Sequence, residues 1–112
     1  MDYKTEIVVI DEREYTLLIG TNAKSNETII KISEPLDLWF HLEGVSSPHI
    51  ILQTDGDNLC KRALRQVAAK LFEHKKNAPK KTNVIYTEVK NVKLTSTLGS
   101  VFTRKTSIIK FQ

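Results

Sequence analysis

Cysteine, proline and glycine are scarce in this 112-residue sequence, which holds one, three and four of them. The lone thiol, Cys60, excludes an intramolecular disulfide and a thiolate zinc cluster within one chain, and it fits a reducing compartment. No low-complexity tract or Pro/Gly excess suggests disorder. No apolar run approaches the roughly 20 residues that a membrane-crossing helix needs, so no membrane span is expected. The opening MDYKTEIVVIDEREY has acids on both sides of its short apolar run and matches neither a secretory nor a transit signal, so a cytoplasmic location is expected. Glycine-rich phosphate loops, nucleophile elbows and HExxH patterns are also missing. A non-catalytic protein without cofactor or metal is therefore expected.

What remains is ordinary in amount. The hydrophobic share of 40% and charged share of 27% suit a folded chain, and the length suits one domain over residues 1–112. The arrangement of charge is less ordinary. Up to Leu59 there are 4 Lys/Arg against 11 Asp/Glu, a balance of −7; from Cys60 onward there are 13 against 2, a balance of +11, and the two sum to the formal +4. Kept on separate surfaces, such halves would steer a polyanion to one face; interleaved, they would neutralise each other.

Glu6–Ile10 and Tyr15–Ile19 are rich in strand formers and flank the polar spacer Asp11-Glu12-Arg13-Glu14, which predicts a hairpin. After Gly20, the cap-type pair Thr21-Asn22 precedes a short helix over Ala23–Ile32. Leu38–Leu42 and His49–Gln53, joined through Ser46-Ser47-Pro48, predict a second hairpin. Asp55-Gly56-Asp57 makes a turn and supplies an N-cap for a helix over Leu59–Lys75, on which Cys60, Ala63, Leu64, Val67, Ala68 and Leu71 share one arc and Lys61, Arg62, Arg65 and Gln66 the other. Val84–Thr87 reads as a strand, Lys90–Leu94 as a short helix or loop, and Val101–Thr103 with Ser107–Phe111 as a last hairpin around Arg104-Lys105. Hairpins interrupted by helices favour an α+β fold with a mainly antiparallel sheet, one long amphipathic helix and one or two short ones.

The densest chemical signal is DLWFHLEG from Asp37 to Gly44, with His49 opening the next strand. Strand alternation puts Trp39 and His41 on one side and Leu38, Phe40 and Leu42 on the other. An indole beside two imidazoles can stack an unpaired base, as single-stranded RNA binders do. It can equally be a core tryptophan whose histidines are satisfied by backbone. Asp37, His41 and His49 can also be drawn as an acid/base set or, with His74, as metal ligands. Lys61 to Lys81 holds eight Lys/Arg and only Glu73 as an acid, which reads as phosphate-contacting or as a solvated helix surface, extended by Lys75-Lys76 and Lys80-Lys81. Cys60, on the apolar arc, reads as a core residue.

Ile19 to Leu52 resembles the NFACT-R module, in which a glycine is followed by N-x-x-x-N-[DE], then D-[IL]-W-F-H, then S-x-H-[VI]; Asn22, Asn26, Glu27, Asp37, Trp39, Phe40, His41 and His49 match. Asn83–Thr87 is similar to that module's V-x-Y-T strand and Lys90–Lys93 to its K-x-V-K segment, so the likeness reaches to about Phe111. Where larger members carry K-P-K-G-A-K-P-G, this chain has Leu94–Ser100 without a lysine. That loop and the Ser46-Ser47-Pro48 turn look more like the standalone branch typified by coiled-coil domain-containing protein 25, although no coiled coil follows here.

The resemblance implies RNA binding in translation quality control, with tRNA or rRNA and the large ribosomal subunit as partners and DNA as an alternative ligand. It implies a pocket of Asn22, Asn26, Asp37, Trp39, His41 and His49. Lys61, Arg62, Arg65, Lys90, Lys93, Arg104 and Lys105 are the expected phosphate contacts. A protein-interaction adaptor using the acidic N-terminal half is the other reading.

Overall fold

In the computed structural model, residues 2–75, 77, 79 and 81–111 are described. Strands β1 (Lys4–Ile10) and β2 (Arg13–Gly20) lead to helix α1 (Ala23–Ile32), then β3 (Leu38–Leu42), β4 (His49–Leu52) and helix α2 (Lys61–His74). Strand β5 (Val84–Glu88), a single 3-10 turn at Val89–Asn91, and the short strands β6 (Val92–Leu94), β7 (Val101–Thr103) and β8 (Ser107–Ile109) complete the chain. Six strands form one sheet in the order β1-β2-β4-β3-β5-β8, while β6 and β7 make a separate two-stranded ribbon. All described pairings are antiparallel, so the fold is α+β as the hairpin pattern suggests.

Period-two alternation sorts the sheet's side chains between two cores. Leu17, Ile19, Phe40, Leu42, Ile50, Leu52 and Val84 meet α2 through Ala63, Leu64, Val67, Ala68 and Leu71. Leu18, Trp39 and Ile51 point the other way and meet Ile29 and Ile30 of α1, with Val89 and Val92. Each fully buried side chain of this size contributes about 1.5–3 kcal/mol, so both faces of β2, β3 and β4 are stabilised. One strand, β3, therefore carries Phe40 into one core and Trp39 into the other.

Several expectations are corrected. The first hairpin turns on Asp11-Glu12 alone, because Ile10 pairs directly with Arg13. Both turn residues take positive φ, 51° and 67°, as a two-residue turn demands, although neither is the Asn or Gly that normally signals it. Cys60, not Asp57, is the N-cap of α2, and it is exposed rather than in the core. Asp57 instead receives the Tyr15 hydroxyl at 2.7 Å and the Arg13 guanidinium. Val101–Thr103 and Ser107–Ile109 are strands but not partners: β7 pairs with β6 and β8 with β5. Thr87 divides them, since its Oγ1 donates toward the carbonyls of Arg104 and Lys105, both at 3.2 Å.

Candidate nucleic-acid interface

The site begins at Gly20. A Cβ there would lie 2.5 Å from Asn26 Oδ1 and 2.8 Å from its backbone nitrogen, so glycine lets α1 descend onto the end of β2. The helix starts on a reciprocal cap: Asn22 Oδ1 accepts from Ser25 N at 2.8 Å, and Ser25 Oγ accepts from Asn22 N at 3.1 Å. Asn26, buried one turn in, accepts the backbone N–H of His49 at 3.2 Å, which ties α1 to β4. On the other side Ser47 Oγ accepts from Leu42 N at 3.1 Å and donates to Pro48 O at 2.6 Å, which shapes the loop from β3 to β4.

Between these anchors sit two imidazoles held by one indole. Trp39 is 1% exposed; its Nε1–H donates to His49 Nδ1 at 3.1 Å, and its ring stacks on His41 with centroids 5.5 Å apart and planes 14° apart. The His49 ring stands at 83° to His41, with centroids 5.0 Å apart. Since His49 Nδ1 accepts, its proton is on Nε2. Since His41 Nδ1 faces the Leu42 carbonyl, it donates there and leaves Nε2 with a lone pair. Burial, reinforced by nearby His41, pushes His49 down to about 3. Burial also lowers His41, against the Leu42 hydrogen bond and with some help from Lys75. The pair is thus neutral, with one donor edge and one acceptor edge.

A cleft of about 460 Å³ opens on these rings, lined also by Asn22, Asn26, His74, Lys75 and Gly99. A neighbouring hollow of about 420 Å³ shares His41 and His49 and is walled by Val101 and Thr103 of the ribbon. The loop that joins β6 to β7 closes tightly on α1: at Gly99, φ is +79° and a Cβ would lie 2.6 Å from Ala23 Cα. Its rim is uncharged, as expected of a segment without lysines.

The expected pocket residues are brought together in part. Asn22, Asn26, His41 and His49 line the cleft, and Trp39 lies beneath it as the support of both imidazoles, with no face free for a base. Asp37 is at the opposite end of β3, where its carboxylate accepts Glu34 N at 2.9 Å and Thr54 N at 3.1 Å. The drawn set of Asp37 with His41 and His49 is therefore not assembled. Among the described residues, no group of three or more His, Cys, Asp or Glu is placed to hold a metal. His74, drawn with these histidines only as a metal ligand, does line the cleft, and Lys75 joins it without having been expected; both arrive because α2 ends there. His74 Nε2 is 2.7 Å from Glu6 Oε1.

The expected phosphate contacts fall into two groups on opposite faces of the sheet. On α2, Arg62 pairs with Asp11 at 3.3 Å, while Arg65 donates to the Lys110 carbonyl and covers the Phe111 ring at 4.2 Å from its centroid. Lys70 pairs with Glu6 at 3.5 Å, so acids of the first half neutralise part of this helix. Lys61 lies beside Arg65, near β8. On the ribbon side, Lys90 pairs with Glu88 at 3.5 Å. Lys93, Arg104 and Lys105 are exposed and form no ion pair among the described residues. Lys76 and Lys80 lie outside the described residues.

Known proteins share both the sequence and the arrangement. Coiled-coil domain-containing protein 25 from Mus musculus and from Bos taurus is 29% identical over 93 residues, covering 78% of this chain and 45% of each relative. The Danio rerio protein of that name is 30% identical over 88 residues, covering 73% of this chain and 42% of its own. The chain thus spans less than half the length of these relatives. A solved structure of the C-terminal part of the fibronectin/fibrinogen-binding protein from Streptococcus suis superposes with a TM-score of 0.79 at 20% identity, over 96% of this chain and 44% of that one; it supports the fold alone. The family model described as the NFACT protein RNA binding domain matches residues 5–110, and the chain therefore belongs to that family.

Proposed function

We propose that this RNA-binding module takes single-stranded or looped RNA into the cleft above Trp39, and that it serves translation quality control in the cytoplasm by holding tRNA or ribosome-associated RNA. The large ribosomal subunit is the proposed larger partner. These finer roles are supported by the likeness of the Asn22–His49 motifs to NFACT-R modules. We read the module as a binder and not an enzyme, since Asp37 is spent on the Glu34 and Thr54 amides at the far end of β3.

One observation carries the proposal: His41 and His49 line the cleft with rings 5.0 Å apart, and their hydrogen bonds to the Leu42 carbonyl and the Trp39 indole leave, in the neutral pair, an acceptor at His41 Nε2 and a donor at His49 Nε2. A ribose 2′-hydroxyl both donates and accepts, and it is what separates RNA from DNA at a given contact. Matched RNA and DNA oligonucleotides test this by fluorescence anisotropy. We expect the wild type to favour RNA and His41→Phe, which keeps a ring on Trp39 but no lone pair, to lose roughly fivefold in RNA affinity with little change for DNA, the worth of about one hydrogen bond. Equal affinity of the wild type for both would favour DNA binding on the same fold.

A further inference from the structure

The ribbon has an outer surface that neither core uses. On β7, Val101 is packed toward the Trp39 core and Thr103 walls the hollow beside His41, so alternation turns Phe102 the other way. Phe102 is 71% exposed, more than any other large hydrophobic among the described residues. On β6, Val92 and Leu94 pack inward, which leaves Lys93 on the same outer side and directly opposite Phe102 in the pairing register. Directly opposed residues have Cβ atoms about 5 Å apart. Arg104 follows Phe102 closely and is held by its backbone N–H to Asn91 O at 3.1 Å. Lys105 takes a positive φ of 55°, and both carbonyls of this turn are fixed by Thr87 Oγ1. A turn anchored through its backbone therefore carries two exposed cations within three residues of a bare aromatic ring.

From this juxtaposition we infer that Phe102, with Lys93, Arg104 and Lys105, is a stacking platform for one unpaired base of a single-stranded nucleic acid, separate from the histidine cleft. An exposed ring alone is unremarkable on a protein surface. Here it stands among cations that no described acid neutralises, whereas Arg62, Lys70 and Lys90 all have carboxylate partners. Base stacking on an aromatic side chain combined with backbone cations is the recurring chemistry of single-strand binding. The platform and the hollow beside the imidazoles lie on opposite sides of the same ribbon, so a bound strand would pass around it, with a base on Phe102 and a sugar near the imidazoles. The inference rests on nucleic-acid binding as proposed above, but not on the cleft.

Phe102→Trp and Phe102→Leu test it, both at an exposed position where folding is not at stake. The probes are a short single-stranded oligouridine and an abasic strand of the same length. Oligouridine should quench the new indole of Phe102→Trp, read above the emission of the buried Trp39 in the wild type, and the abasic strand should not. Phe102→Leu should bind oligouridine roughly five- to hundredfold more weakly, approaching the wild type's affinity for the abasic strand. Unquenched emission with oligouridine bound, or wild-type affinity in Phe102→Leu, overturns the platform and leaves the cleft standing. Failure of the wild type to bind either strand overturns both.

Discussion

Trp39 and His49 illustrate how two residues with plausible binding chemistry divide the labour once folded. Trp39, buried to 1% exposure, works through its Nε1–H, which selects the tautomer of His49. His49 in turn is held neutral with a value of about 3, well under the ordinary 6.5. The sign follows directly. Below pH 6.5 the unfolded chain binds a proton that the folded state refuses, so His49 lowers stability as pH falls from 6.5 toward 3, by about 1 kcal/mol per pH unit. His49→Gln can still accept from Trp39 and does not titrate. Urea unfolding of the wild type should therefore weaken more between pH 7 and 5 than that of the variant, by roughly 1–2 kcal/mol. Parallel pH profiles would remove His49 from this role; His41, also lowered, leaves a residual slope in both.

At the scale of elements, α1 governs the cleft because three of its contacts converge there: the Asn22–Ser25 cap, the Asn26–His49 hydrogen bond and the approach allowed by Gly20. Asn22→Ala removes the cap acceptor and should cost about 1 kcal/mol in urea unfolding, while Asn22→Asp should recover most of it. The start of α1 was legible in advance from Gly20 and the cap-type pair Thr21-Asn22, and β3 from the alternation through DLWFH, with β4 following the Ser46-Ser47-Pro48 turn. The last hairpin was not. Two short runs around Arg104-Lys105 satisfy every local hairpin signal, yet Thr87 and Asn91 draw them into different sheets. Such a choice depends on residues more than ten positions away.

At the scale of the whole molecule, the opposed charges of the two halves meet along the border between α2 and the first hairpin. Glu6 on β1 pairs with Lys70 of α2 and also contacts His74, and Asp11 in the first turn pairs with Arg62, while the ribbon's Lys93, Arg104 and Lys105 have no such partners among the described residues. The logarithm of RNA affinity should fall with the logarithm of salt, by roughly 0.7 per single-strand phosphate contacted. Lys93→Glu with Arg104→Glu should shallow that slope by about 1–2 contacts, measured by anisotropy across a salt series. Arg62→Glu with Arg65→Glu should change it less, because those guanidiniums are already engaged. The opposite ranking would move the interface to α2. No helix among the described residues is long and apolar enough to cross a membrane.

By itself the sequence determined the elements whose signals are local: the alternating strands, the cap of α1, the sided face of α2 and the motifs that mark an NFACT RNA-binding domain. It also placed His41 on the same side of a strand as Trp39. Tertiary structure alone decided that Asp37 lies away from the histidines, that α2 ends beside them with His74 and Lys75, that Arg62 and Lys70 of α2 are paired with acids, and that Phe102 stands bare. Local periodicity states which way a side chain points from its own strand. What it then meets depends on where other segments pack, and for Trp39 that was His49 of β4 at the edge of its ring.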